Sequence, residues 1–448
     1  MRQERTVQAS IFDLFAGHEI GRELKAISQW LDEHPALAGL VANDVRRHEV
    51  RETGRQGLSA ESVLRCALLK QHRQLSYEEL AFHLEDSVSL RAFARLPLSW
   101  TPKKSVLHET ISSIKAETWE AINRAVLADA RQQKIETGKV VRLDSTVTAA
   151  LMHDPSDSSL LWDAVRVMTR LLREADTMIG GCGGKLVWRN HRRAAKKRAR
   201  LIKFTRGRPN RLQHYRDLIK MARTTLAYTE QAAIQLRQVR DPKVAIWQAE
   251  LSHYRPLIER IISQTDRRVL RGEQVPASEK IVSLFEPHAD IIVKGSRDVE
   301  YGHKINLTTG RSGLILDLVI ESGNPADSER FLPMLDRHIA LYGEAPQQAA
   351  TDGGYASRAN LSQAKARGVT DVAFHKKAGL RVEDMVKSSW VYRKLRNFRA
   401  GIEAGISCLK RAYGLARCTW RGLDHFNAYV WSAAVAFNLA LLARLKPI

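Results

Sequence analysis

One β-branched run, Val140-Val-Arg-Leu-Asp-Ser-Thr-Val-Thr148, stands by itself in this chain. Helical spacing lies on both sides of it, and strand signals resume only after residue 285. That order of periods suggests a domain split between this upstream strand and the strands that follow residue 285. The second half therefore reads as α/β, with one strand placed well upstream and a long helical stretch between.

Residues 1–135 read as helical. Val63, Leu64, Ala67 and Leu68 recur at helical spacing in Ser59 to Gln71. Ser76 and Glu79 form a capping-box pattern ahead of Leu80, Phe82 and Leu84; Pro97 and Pro102 break the periodicity, and Val106, Ile111 and Ile114 resume it. Short helices with tight turns suit a helix-turn-helix module as well as a plain helical domain. From Ser159 to about Leu270 the stripes Leu161, Val165, Met168, Leu172 and Leu212, Tyr215, Leu218, Ala222 predict long packed helices. Gly180 to Gly184 reads as a flexible break, and it has no Lys-Ser/Thr pair to make a phosphate-binding loop. Beyond residue 285, Asp290 to Val293 is a short strand, and His303 to Thr309 with Leu314 to Ile320 is a hairpin around Gly310-Arg-Ser-Gly313. A helix fits Asp327 to Tyr342, strands fit Gln347 to Asp352 and Thr370 to His375, and a helix over Arg358 to Arg367 stops at Gly368. Helices over Asn397 to Lys410 and Asp424 to Leu445 close the chain.

Composition narrows the function. The 448 residues carry a net +22, with 44% apolar residues, which is globular rather than disordered. The longest apolar stretch, Tyr429 to Leu442, is short for a bilayer and reads as a buried helix; the start, MRQERTVQAS, has no apolar signal core. Cys66, Cys182, Cys408 and Cys418 form no CxxC pair, which excludes a zinc ribbon and fits a reducing cytoplasm. The charge favours nucleic acid over a membrane as partner, and its location sharpens that. Between Lys185 and Arg223 stand 15 basic residues and one acidic residue, Asp217, a local +14.

Three acidic residues stand out against this background. Asp144 lies in the lone strand, Asp352 ends a later strand before Gly353-Gly354, and Glu403 lies inside a basic helix. Arg399, Glu403 and Lys410 are four and seven residues apart, so they share one helix face. Each feature alone also fits a capping residue or a solvated salt-bridge face.

Together they resemble the bacterial insertion-sequence DDE transposases, in the group with the signature Tyr-x2-Arg-x3-Glu-x6-Lys. Arg399, Glu403 and Lys410 match that signature, and Arg396 replaces its tyrosine. Leu143-Asp144-Ser145-Thr146-Val147 and Ala350-Thr351-Asp352-Gly353-Gly354-Tyr355 resemble the two aspartate motifs. His153 to Asp163 resembles a segment of one subgroup, which puts His153, Asp154 and Asp157 at the rim of the site, although Asp157 also suits a helix cap. The resemblance implies an RNase H-like α/β catalytic core split by a long helical insertion, with an all-α N-terminal DNA-binding domain. It divides the chain into 1–135 for DNA binding, 136–157 with 285–448 for the core, and 158–284 for the basic insertion.

It further implies Asp144, Asp352 and Glu403 as catalytic and metal-holding residues, on two Mg²⁺ ions with Mn²⁺ as a substitute. Such a pair clamps the attacking and leaving oxygens of a phosphodiester; Asp144 would bridge, with Asp352 on one ion and Glu403 on the other. Arg399 and Lys410 are then phosphate contacts, and Ser145 and Thr146 either support Asp144 and the DNA backbone or are plain strand residues. The partners implied are double-stranded DNA, as transposon ends and target, and further copies of the chain in a dimer or larger assembly, in the bacterial cytoplasm at the nucleoid and without a membrane. A non-catalytic DNA-binding regulator derived from a transposase, or a nuclease without strand transfer, is the competing reading.

The arm around Arg189 to Arg200 is too dense in like charge to be a stable isolated helix, and a DNA backbone would relieve that repulsion. Arg192, Arg193, Lys196, Lys197, Arg198, Arg200, Arg206 and Arg208 are its expected DNA contacts. Arg206-Gly207-Arg208-Pro209 resembles the core of an AT-hook, or is a turn linking two helices.

Overall fold

The computed structural model describes residues 19–45, 57–97, 99–294, 298–375 and 379–445; the decapeptide MRQERTVQAS lies outside them. The chain divides into two compact units, one of residues 1–150 with 303–448 and one of residues 151–302.

In the first unit every described element before residue 140 is a helix: α1 (Glu19–Glu33), α2 (Ala36–Val45), α3 (Ala60–His72), α4 (Tyr77–Asp86), α5 (Val88–Phe93), α6 (Lys104–Ile111) and α7 (Ala116–Gln132). Ser59 caps α3, and Ser76 with Glu79 closes the capping box that opens α4. The strand β1 (Val140–Ala149) follows, and after the second unit the chain adds β4 (Ile315–Ile320), α12 (Asp327–Tyr342), β5 (Gln348–Thr351), α13 (Arg358–Ala366), β6 (Asp371–Phe374), α14 (Val382–Met385), α15 (Ser389–Ala412) and α16 (Leu423–Leu445). A long strand, β3 (Asp298–Thr309), leads in from the second unit.

The sheet order in this unit is β4-β3-β1-β5-β6, so the upstream strand is central. β5 runs parallel to β1 with Leu143 opposite Thr351, and β6 runs parallel to β5 with Thr351 opposite Phe374. β3 and β4 are antiparallel, and their turn is fastened by buried Glu136, which accepts from the Ser312 amide at 2.8 Å and the Ser312 hydroxyl at 2.6 Å.

The core explains why the N-terminal helices stay with the sheet. They share one hydrophobic cluster with β1, β4, β5, β6 and α16. Buried Asn438 on α16 donates to Asn123 on α7 at 2.7 Å and to the Ile315 carbonyl at 2.8 Å, and accepts from the Ile315 amide at 2.8 Å. Such a saturated polar knot fixes one mutual arrangement of helix and strand. The helix Leu423–Leu445 is longer than the apolar stretch read from the sequence, and by length and composition it is able to cross a membrane; 83% of that apolar window is buried inside the protein.

The second unit is built on α8 (Asp157–Gly181), α9 (Arg192–Phe204), α10 (Arg208–Leu236) and α11 (Pro242–Thr265), followed by a π-helical turn (Asp266–Leu270). Leu161, Val165, Met168 and Leu172 of α8 pack with Leu218 and Ala222 of α10 and Ile258 and Ile261 of α11. Trp247 buries its ring there and donates to the Leu171 carbonyl at 2.8 Å. The strand β2 (Asp290–Lys294) pairs antiparallel with the first residues of β3, Asp290 lying opposite Gly302.

Two sequence expectations change here. Ser156, not Asp157, caps α8, and Asp157 is already in its first turn. Gly180 and Gly181 are the last helical residues of α8 rather than a break, with Cys182 as its C-cap.

Candidate active site

Asp144 and Asp352 are brought together by the register of two strands. Leu143 and Thr351 are opposite one another on parallel β1 and β5, so the next residue on each is an aspartate. Adjacent strands lie about 4.8 Å apart, which sets the two carboxyl groups side by side. The helix α15 packs on β1 and β5 and supplies Arg399 and, one turn on, Glu403.

Arg399 meets all three acids. Its Nη2 lies 3.2 Å from Asp144 Oδ2 and 3.8 Å from Asp352 Oδ1, and its Nη1 lies 2.8 Å from Glu403 Oε1. The Arg399 side chain is 11% exposed, and exposure climbs through the acids from 15% at Asp144 to 44% at Asp352 and 64% at Glu403. The site thus has a floor and a rim. Burial pushes the Asp144 carboxyl above the usual aspartate range; the Ser145 amide, donating to its Oδ1 at 2.8 Å, and Arg399 oppose this, while neighbouring Asp352 and Asp327 add to it.

The surroundings hold this geometry. Arg142, two residues before Asp144 on the same strand face, donates to Thr309 Oγ1 at 2.9 Å and to the Phe398 carbonyl at 2.7 Å, with its guanidinium over the Phe398 ring. That crossing passes Gly401, where an added Cβ would stand 2.4 Å from Arg142 Nη1. So β1 reaches out and fixes the turn of α15 that carries Arg399 and Glu403. On the other side Asp327, at the start of α12, is neutralised by Lys304 at 2.6 Å, and its Oδ2 sits where a Cβ on Gly354 would approach to 2.9 Å. Sequence reasoning missed Arg142, Lys304 and Asp327; only the strand alternation that pairs Arg142 with Asp144 marks any of them.

Residues 294–439 match the family model of a transposase DDE domain, and residues 14–114 match that of a second transposase domain. The chain is an insertion-sequence DDE transposase. A search of curated proteins and of solved structures returns no match. The matched DDE interval contains Asp352 and Glu403, while Asp144 lies upstream of it. In the transposase Arg396 is exposed on α15. Lys410 is half-buried on α15, seven residues beyond Glu403. Thr146 is buried in β1.

His153, Asp154 and Asp157 belong to the second unit of the transposase, where His153 lies 3.7 Å from Asp163 and Asp157 pairs with Arg268 at 3.0 Å. In the same unit the dense basic run forms a helix that is packed rather than isolated. Ala195 and Ile202 turn the apolar side of α9 into the core, and Arg192, Arg193, Lys196, Lys197 and Arg200 stay exposed. Arg198 differs, because it pairs with Asp217 of α10 at 2.9 Å. Arg206 and Arg208 are exposed around a turn in which Gly207, at φ +87°, caps α10 and Pro209 opens it. A cleft of about 520 Å³ beside α9 is lined by Arg166, Arg170 and Arg173 of α8, by Arg192 and by Phe285. The spacing of those α8 arginines puts them on one helix face, a signal present in the sequence and not read there.

Among the described residues no three His, Cys, Asp or Glu side chains stand close enough to hold one ion as they are. The donor set nevertheless suits a hard divalent cation. It consists of carboxylate oxygens only, and one guanidinium already draws all three groups to a common cationic centre.

Proposed function

We propose that this transposase is catalytically active and metal-dependent, cleaving the DNA ends of its element and joining them to target DNA, with Asp144, Asp352 and Glu403 as its catalytic residues. The observation that carries the reading is the convergence of three acids from distant parts of the chain on the single guanidinium of Arg399. The strand order, with β1 central and β5 and β6 parallel beyond it, supports an RNase H-like core. On this reading the helices of 1–135 recognise transposon ends, 136–157 with 285–448 form the core, and 158–284 is an insertion whose basic helix grips the DNA backbone.

Mg²⁺ ions, or Mn²⁺ in their place, would be held by the three carboxylates and would supply activation of the attacking oxygen and neutralisation of the leaving one. The chain's own groups do the rest. Asp144, at the floor and braced by the Ser145 amide, keeps the most fixed geometry. Asp352 and Glu403 are the adjustable partners nearer solvent. Arg399 and Lys410 orient the phosphates at the scissile end, and Ser145 supports Asp144. Arg192, Arg193, Lys196, Lys197, Arg200, Arg206 and Arg208 hold backbone phosphates, which positions the duplex without reading its sequence. Pairing of two transposon ends calls for at least a dimer, working in the bacterial cytoplasm at the nucleoid.

Incubation of the purified protein with duplexes bearing its transposon ends, a target plasmid and Mg²⁺ tests the proposal. Cleaved ends and joined products are expected from the wild type and from neither Asp144→Asn nor Glu403→Gln. Binding of the ends without cleavage by the wild type would make it a DNA-binding regulator instead, and cleavage by Asp144→Asn would remove that residue from the site.

A further inference from the structure

We propose that Arg399 is a built-in stand-in cation, a positioning residue that holds the three carboxylates together until a divalent ion displaces it and frees its guanidinium for a DNA phosphate. The inference rests on the reading of Asp144, Asp352 and Glu403 as the metal-holding set.

Three carboxylates, one inside β1, one just past the end of neighbouring β5 and one on a helix, repel one another, and a positive group at their centre is what lets them converge. Arg399 is that group, with Nη1 on Glu403 and Nη2 shared between Asp144 and Asp352. The nearby Asp327 does not need it, since Lys304 neutralises Asp327 at 2.6 Å. A divalent ion would need the same carboxylate edges, and an ion and a guanidinium cannot both occupy them. The present spacing, with no acid triplet close enough for one ion, describes the guanidinium-filled arrangement.

Arg399 is also poorly settled where it is. Its Nε is buried and has no hydrogen-bond partner in the structure, so the fork is only partly satisfied. Two of its three contacts run to acids that are 44% and 64% exposed, where water competes for the carboxylate. A residue held by one buried contact and two rim contacts leaves readily once a stronger cation arrives. A flexible side chain released at the rim, four residues before Glu403 on the same helix, then carries its charge to the edge of the site. By linkage, whatever draws Arg399 away, such as a phosphate, must strengthen ion binding by the factor by which the ion strengthens phosphate binding.

The test is Mn²⁺ binding to the full-length protein without DNA, read from the paramagnetic resonance signal of the unbound ion. Arg399→Gln and Arg399→Met, each checked for folding by its thermal melt, should bind Mn²⁺ roughly tenfold more tightly than the wild type, within the usual range of coupling between sites. Asp144→Asn should bind it much more weakly. Equal or weaker binding by the folded Arg399 variants, with Asp144→Asn still losing the ion, overturns the inference and leaves the carboxylate reading standing. Undiminished Mn²⁺ binding by Asp144→Asn overturns both. Either Arg399 variant suffices if the other does not fold.

Discussion

The acidic site and the basic face of α9 hold charge in opposite ways. The site draws Asp144, Asp352 and Glu403 from widely separated positions, grades them from buried to exposed, and ties them to one guanidinium. The basic face takes its charges from one continuous run, leaves nearly all of them in solvent, and ties down only Arg198, through Asp217. The first arrangement costs folding free energy to assemble and gives a defined geometry in return. The second needs little geometry, because a phosphate backbone offers charge along its whole length. Few well-placed charges suit bond making and breaking, and many loosely placed ones suit grip.

The sharpest way to break this comparison is chemical. Asp352→Asn should lower strand cleavage by at least about a thousandfold, as losses of groups that act as a unit do, whereas removing the exposed Glu383 should leave the rate unchanged; end-labelled DNA on a denaturing gel reads both. Next comes grip. Replacing Arg192, Arg193, Lys196 and Lys197 together with alanine should reduce the log–log salt dependence of DNA binding by roughly 4, from about 0.9 per phosphate contact. Adding Arg198→Ala to that set should change the slope no further, since Arg198 is already spent on Asp217; fluorescence anisotropy across a salt series decides this.

Smaller effects probe the scaffold under the site. His338, buried and bonded to the Gly138 carbonyl just before β1, has its pKa pushed down to about 4 by burial. The unfolded chain takes up this proton first as pH falls, so stability present above pH about 6.5 is lost on the way down to about 4, by about 3 kcal/mol at most. His338→Gln should flatten that stretch of the urea midpoint against pH. Last, Gly401→Ala should displace Arg142 from the Phe398 carbonyl and cost about 1–3 kcal/mol, the usual range for overpacking, seen as a lower melting temperature.

The comparison also explains what the sequence made legible. The basic run could be located by counting, and the three acids by the lone strand around Asp144, the strand end at Asp352 and the spacing of Arg399, Glu403 and Lys410. Local periodicity placed β1, α12 and β4 within a residue or two, because each satisfies its own pattern of burial, whereas β3 begins at Asp298, five residues before the expected His303. The illegible features depend on partners far away in the chain. Nothing local in Asn123 or Asn438 says that they bind each other and thereby join the N-terminal helices to the sheet. Arg142 looks like any strand cation until Gly401 is found opposite it. Charge repulsion makes the basic run a poor isolated helix, and what holds α9 is the burial of Ala195 and Ile202, which the count of charges does not reveal. Arg399, read as a phosphate contact, proved to sit among the carboxylates because helix spacing fixes a face and not what lies opposite it.

The position of β1 also has a consequence in time. It is made early, yet its parallel partner, from Gln348 onward, is translated about two hundred residues later. At about 5–20 residues per second that is a wait of roughly 10–40 s. During it the helices of the second unit have all their own partners, while the strand bearing Asp144 has none on that edge. Asp144 and Asp352 meet only after most of the polypeptide exists, and Glu403 joins them later still. A chain interrupted before Gln348 therefore already carries its positively charged helix, but lacks the pairing that brings Asp144, Asp352 and Glu403 together.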